Sequence, residues 1–148
     1  MSATHAGFTH IFVASEQDTR CALAEIMARL RTIGVPDEQA GGVEIALAEV
    51  INNVVEHAYA NVDLGEILVR AVVMEGEMRL LVADEGAALP GGALPEGKPA
   101  NIDTALDDLP EGGFGWFMIR TLTRDIRYRR VGERNHLRLI FDLIPAVT

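Results

Sequence analysis

The chain has a single cysteine, Cys21, among its 148 residues, so it can close no internal disulfide and cannot assemble a thiolate zinc cluster. Cys21 lies among Ala22, Leu23 and Ile26 in a helical pattern, and a reducing cytoplasm suits such a thiol. No apolar run approaches the roughly 18 residues that a membrane-spanning helix needs. Met1 to His10 carry neither the basic start nor the apolar stretch of a secretory leader. The expectation is therefore a soluble, unprocessed cytoplasmic protein with no membrane partner. Basic residues are scarce as well, 13 Lys and Arg against 22 Asp and Glu, for a formal charge of −9. That balance repels phosphate backbones, so no direct nucleic-acid partner is expected. The few cations crowd the C-terminal part, at Arg120, Arg124, Arg127, Arg129, Arg130, Arg134 and Arg138, and read as a solvated sheet face.

Repeats and low-complexity segments are also missing, whereas apolar residues make up 49% of the chain, enough for one core. Residues 1–148 are expected to form a single domain. Phe8, Ile11 and Val13 suggest a short first strand, and Ser15 with Asp18 three residues on resembles a capping box. Leu23, Ile26, Met27 and Leu30 then recur at helical spacing until Gly34 and Pro36 stop the run. Pro36-Asp37-Glu38 opens a second helix that reaches about Tyr59. From Gly65 the period becomes two, giving a hairpin that turns at Glu75-Gly76 and ends near Ala83. Residues 86–113 carry four prolines among glycines and alanines, which is too long and irregular for an ordinary connection and reads as a functional loop. A helix over Phe114 to Thr123 follows, then strands Ile126 to Val131 and His136 to Leu143. This order predicts an α+β fold, a two-layer α/β sandwich with helices on one face of a mixed, mostly antiparallel sheet.

Three short segments carry candidate chemistry. On the second helix, Ile45, Glu49, Asn52, Asn53, Glu56 and His57 share one side, and Val43, Leu47, Val50, Ile51, Val54 and Ala58 the other. Taken alone, this is an amphipathic helix with a solvated face. Asparagine is a poor mid-helix residue, however, and its side-chain carbonyl can ligate Mg²⁺. His57 reads as a packing or supporting residue. At the end of a predicted strand, Asp84-Glu85-Gly86 is either a simple turn or a buried carboxylate able to accept from the amine of adenine, with Gly86 admitting close backbone approach. Gly112-Gly113-Phe114-Gly115 precedes a helix whose free N–H groups suit a phosphate, though such glycines also serve as plain flexible entries.

In this order and on these elements the three segments are more specific than any one of them. Glu49 to Tyr59, with Asn52, Asn53 and His57, resembles the N-box of GHKL ATPases. Asp84-Glu85-Gly86 resembles their adenine-reading glycine box, and Gly113-Phe114-Gly115 the second glycine box. The short chain, the Glu-x₃-Asn-x₃-His-Ala-Tyr spacing and the ending Tyr128…Asn135-His136-Leu137 resemble the anti-sigma-factor serine kinases within that superfamily. Ala88 stands where a second glycine of the adenine box is usual, and Glu111 where several relatives place an arginine.

The resemblance implies the Bergerat ATP-binding fold, with ATP and Mg²⁺ as cofactors. It implies Glu49 as general base, Asn53 as Mg²⁺ ligand, Asp84 and Gly86 at adenine, Gly113, Phe114 and Gly115 at the phosphates, and residues 87–112 as a lid. It further implies a serine/threonine protein kinase acting on a small STAS-type anti-anti-sigma protein, with a sigma factor as a further partner and a homodimer as the assembly. Two other expectations stay open: a nucleotide-dependent binding module without turnover, and the detached ATP-binding domain of a sensor histidine kinase.

Overall fold

The computed structural model describes residues 6–59, 65–94 and 114–144. Strand β1 (Ala6–Val13) leads into helix α1 (Glu16–Thr32) and helix α2 (Asp37–Asn53), which continues as a π turn over Val54–Ala58. Hairpin β2 (Glu66–Met74) and β3 (Glu77–Asp84), a 3₁₀ turn at Pro90–Gly92, helix α3 (Phe114–Leu122) and hairpin β4 (Asp125–Val131) and β5 (Arg134–Asp142) complete the order.

Local signals explain most boundaries. Ser15 caps α1: its Oγ accepts from the Asp18 backbone N–H at 3.1 Å and donates to Asp18 Oδ2 at 2.9 Å. Asp37 and Glu38 lie in the first turn of α2, where negative charge complements the helix dipole. Between β2 and β3 the turn needs a positive φ, which Gly76 supplies at 80°.

The sheet order is β1-β2-β3-β5-β4. Every seam is antiparallel, so the parallel pairing expected of a mixed sheet does not occur among the described residues. The reason is topological. Helix α3 carries the chain from β3 to β4, which run in the same direction, but β5 folds back and takes the place between them.

Alternation along the strands sends Ile67, Val69 and Ala71 of β2, Met78, Leu80 and Val82 of β3, and Leu137, Leu139 and Phe141 of β5 into one core with the helices. Ile26, Met27 and Leu30 of α1, Leu47, Val50 and Ile51 of α2 and Ile119 of α3 meet them. Each large side chain buried this way contributes about 1.5–3 kcal/mol. Helix α3 lies antiparallel along α2: a methyl on Gly42 would sit 3.4 Å from Leu122, and one on Gly115 would strike Glu49. Gln39, in the first turn of α2, donates to the Asp142 carbonyl at 2.6 Å and accepts from the Ile144 N–H at 2.7 Å, fixing that helix to the end of β5. No helix among the described residues is long and apolar enough to cross a membrane.

Ser15→Ala removes the acceptor for the Asp18 N–H and should cost about 1 kcal/mol. A urea melt read by circular dichroism measures this as a lower midpoint with an unchanged slope.

Candidate active site

The C-terminal half of α2 is the centre on which the other segments converge. Its apolar side, Val43, Leu47, Val50, Ile51, Val54 and Ala58, is buried, as the sequence spacing predicts. On the other side Ile45, Asn52, Glu56 and His57 are exposed, while Glu49 and Asn53 are half-buried. His57 therefore does not pack in the core.

Two glycines bring neighbouring segments against this helix. A Cβ on Gly115 would lie 2.6 Å from Glu49 Oε2, so the start of α3 approaches the carboxylate as closely as a hydrogen replaces a methyl. A Cβ on Gly86 would lie 2.5 Å from the Ala58 carbonyl oxygen, and at that point the two backbones touch. The π turn makes this second contact. The Tyr59 N–H reaches back five residues to the Val54 carbonyl at 3.1 Å, and the Ala58 carbonyl is left to accept from the Ala87 N–H at 2.8 Å. Buried Tyr59 completes the junction, donating its hydroxyl hydrogen to the Glu66 carbonyl at 2.9 Å and accepting from the Glu85 N–H at 2.9 Å.

Asp84, at the end of β3, is 5% exposed. Its Oδ1 accepts from the Gly86 N–H at 2.8 Å and from Asn135 Nδ2 at 2.8 Å. Oδ2 takes no hydrogen bond among the described residues. Burial raises the Asp84 pKa above the ordinary aspartate value, opposed first by the Asn135 hydrogen bond, then by the Gly86 N–H and the charges of Arg130 and His136.

Asn135 is itself 6% exposed and has its hydrogen-bonding capacity filled. Besides Asp84, Nδ2 donates to the Ala87 carbonyl at 2.8 Å, while Oδ1 accepts from the Tyr128 hydroxyl at 2.5 Å and from Arg130 Nη1 at 3.0 Å. Arg130 also donates to the Gly86 carbonyl at 2.7 Å, and the Tyr128 hydroxyl accepts from the Leu89 N–H at 3.1 Å. The β4–β5 hairpin thus holds the whole 84–89 turn. Sequence reasoning used Tyr128 and Asn135 only as family markers and placed Arg130 with the solvated arginines. The period of two along β4, which puts Tyr128 and Arg130 on one side, is the signal that separates Arg130 from Arg127 and Arg129.

Of the expected site residues, Glu49 and Gly115 meet directly, Asn53 follows Glu49 by one helical turn, and Asp84 and Gly86 dock on the π turn at the end of the same helix. Phe114 opens α3. Gly113 and the lid residues 95–112 lie outside the described residues. No group of three His, Cys, Asp or Glu forms a metal cage among the described residues. A Mg²⁺ held mainly by phosphates and one or two protein oxygens needs no such cage. The amide of Asn53 suits that need, since its Nδ2 is buried without a partner among the described residues, an orphan that costs about 1–3 kcal/mol. Turning the amide presents its oxygen in the same place.

A profile of the histidine kinase-like ATPase domain matches residues 12–141, and the chain belongs to that family, the GHKL class. Within it, the chain is 35% identical over 86 residues to proteins named serine-protein kinase RsbW from Bacillus mycoides and Bacillus thuringiensis, a match covering 57% of this chain and 53% of each relative. The match thus spans about half the length of those curated relatives. A crystal structure of the RsbU and RsbW domains of a Mycobacterium tuberculosis protein superposes with a TM-score of 0.65 at 22% identity, covering 97% of this chain and 35% of that one. That likeness shows the shared fold.

Asn135→Leu removes a donor from a buried carboxylate and should destabilise the protein by about 2 kcal/mol. A raised Asp84 pKa means that stability falls as pH climbs from the unfolded value through the folded one. Without Asn135 that pKa rises further, so the loss should be larger at about pH 8 than at about pH 5. Urea midpoints at the two pH values test this, and an equal loss at both would detach Asn135 from the Asp84 charge.

Proposed function

We propose that the chain is an ATP-dependent serine/threonine protein kinase of the anti-sigma-factor type, which phosphorylates a small STAS-type partner and sequesters a sigma factor. The observation that carries the reading is the contact of Glu49 with the glycine start of α3 at Gly115, with Asn53 one turn further along α2. The acceptor chemistry, the sigma-factor partner and a homodimeric assembly come from the likeness to RsbW, and a cytoplasmic site of action accords with them.

Bound Mg-ATP supplies the phosphoryl group and the cation that offsets its charge. The residues of the chain do the rest. Asp84 Oδ2, without a hydrogen-bond partner among the described residues, would accept from the adenine amine, while Oδ1 is held by Asn135 and Gly86 so that the carboxylate cannot turn away. Gly86 lets the backbone lie close to the base. The N–H groups at the start of α3, at Phe114 and Gly115, would bind the phosphates with the positive end of the helix, and the likeness adds Gly113 to them. The Asn53 side-chain oxygen would hold the cation. Glu49 would receive the proton of the attacking serine hydroxyl, and its nearness to the start of α3, the end that would bind phosphate, supports that role.

Glu49→Gln keeps the shape and removes the base. It should leave nucleotide affinity nearly unchanged and slow phosphorylation of the partner serine by about 10²–10⁴-fold, read by intact mass of the partner after incubation with Mg-ATP. Asn53→Ala should lose both binding and transfer, and Asp84→Asn should lose binding through an amide donor facing the adenine amine. A partner that gains no phosphoryl group from the unmodified protein, yet is still captured and released with nucleotide, would replace the kinase by a binding module.

The acceptor role of Asp84 needs its carboxylate form. Because burial raises that pKa, affinity for nucleotide should fall on acidification at a pH above the ordinary aspartate range, as read by calorimetry. Binding that is flat down to that range would remove Asp84 from the base.

A further inference from the structure

The helices cover one face of the sheet, and the other carries an arginine cluster that the nucleotide site does not use. In the β4–β5 pairing Arg127 stands directly opposite Arg138, and Arg129 directly opposite His136. Like charges facing each other across a strand pair destabilise it. This chain has an excess of acidic residues with which to avoid such pairs. Elsewhere it does avoid them: Arg79 pairs with Glu77 at 2.6 Å, Arg124 with Asp142 at 2.7 Å and Arg134 with Glu85 at 3.0 Å, whereas Arg127 has Asp125 beside it at 2.9 Å and still faces Arg138. Arg129 and Arg138 are exposed and have no carboxylate or other polar partner among the described residues.

Strand β4 is at the sheet edge, and charged side chains on edges discourage strand-to-strand aggregation. That accounts for Arg129. It does not account for Arg138, which lies on the inner strand β5. We infer that the helix-free face of β4 and β5, at Arg127, Arg129 and Arg138, is a docking surface for an acidic, extended polypeptide segment of a partner protein.

Charge and spacing both favour that occupant. Adjacent strands lie about 4.8 Å apart and alternate residues along a strand about 6.7 Å apart. Carboxylates on every second residue of an extended segment repeat at that second distance, so they can meet Arg127 and Arg129 in turn while Arg138 flanks them. Guanidinium groups bind carboxylates through paired N–H donors. A long nucleic acid carries about one charge per 1.7 Å and extends over the rest of a surface whose net charge is −9, where it is repelled. A short acidic segment stays within the cluster.

The probe is a fluorescein-labelled peptide with glutamate at alternate positions, titrated with the full chain at low salt and read by fluorescence anisotropy. The Arg129→Gln/Arg138→Gln variant should bind it about tenfold more weakly, with nucleotide affinity unchanged and a melting temperature no lower than that of the unmodified chain. Arg20→Gln/Arg31→Gln removes the same charge from exposed positions of α1 and should shift affinity less than about twofold. Equal losses in the two variants would reduce the effect to net charge and overturn the assignment. So would no binding of the peptide, or tighter binding at the same arginines by a single-stranded oligonucleotide of equal charge.

Discussion

Asp84 is buried at the end of a central strand, where an unpaired carboxylate would be expelled or protonated. The Asn135 side chain makes the position tenable. Its amide gives one N–H to Asp84 and the other to the Ala87 carbonyl, while its oxygen is occupied by Tyr128 and Arg130. Because all four bonds are made, the amide cannot rotate, and Asp84 keeps one oxygen fixed and the other clear. The turn after β3, the end of the β4–β5 hairpin and the orientation of the carboxylate are therefore one unit. Loosening any member leaves a buried polar group without a partner.

The same unit docks on α2 through Gly86, whose backbone lies against the Ala58 carbonyl. The last carbonyls of a helix have no partner within it, and here Ala58 bonds Ala87, while the π turn closes through the Tyr59 N–H and the Tyr59 hydroxyl bridges Glu66 and Glu85. One helix thus carries Glu49 and Asn53 on its regular part and anchors the Asp84 turn on its irregular part. Separation between the proposed adenine and phosphate ends is set by helical rise, a stiff measure, rather than by a loop.

What the sequence made legible follows from the range of each interaction. Ser15 capping α1, the period-two run of β2 and β3, and the split of α2 into an apolar and a polar side are local, and the structure repeats them within a few residues. The antiparallel seam between β3 and β5 joins positions 51 residues apart at Asp84 and Asn135, and no local pattern encodes it. Hence the sheet was expected to be mixed, and Asn135 was a family marker instead of the partner of Asp84. The π turn was invisible for a related reason. It coincides with the docking of Gly86 and Tyr59 at the helix end, and Val54–Ala58 contains no Gly or Pro to signal it. His57 shared the polar side with Glu49, but its place on that last turn leaves it in solvent.

Register in the final hairpin bears on both faces of the sheet at once. Along β4, Tyr128 and Arg130 point to the Asp84 turn, while Arg127 and Arg129 point to the bare face. A slip of one residue would exchange the two sets, sending Arg129 toward a site that has no place for it and removing the Tyr128 hydroxyl from Asn135. Hydrophobic pattern alone specifies this register weakly, since Ile126 and Tyr128 are the only apolar residues of β4 that pack against the core. The polar bonds of Tyr128 and Arg130 must supply the remaining specificity. The network that orients Asp84 therefore also fixes which arginines face outward, so one set of buried hydrogen bonds determines the charge pattern on the opposite side of the sheet.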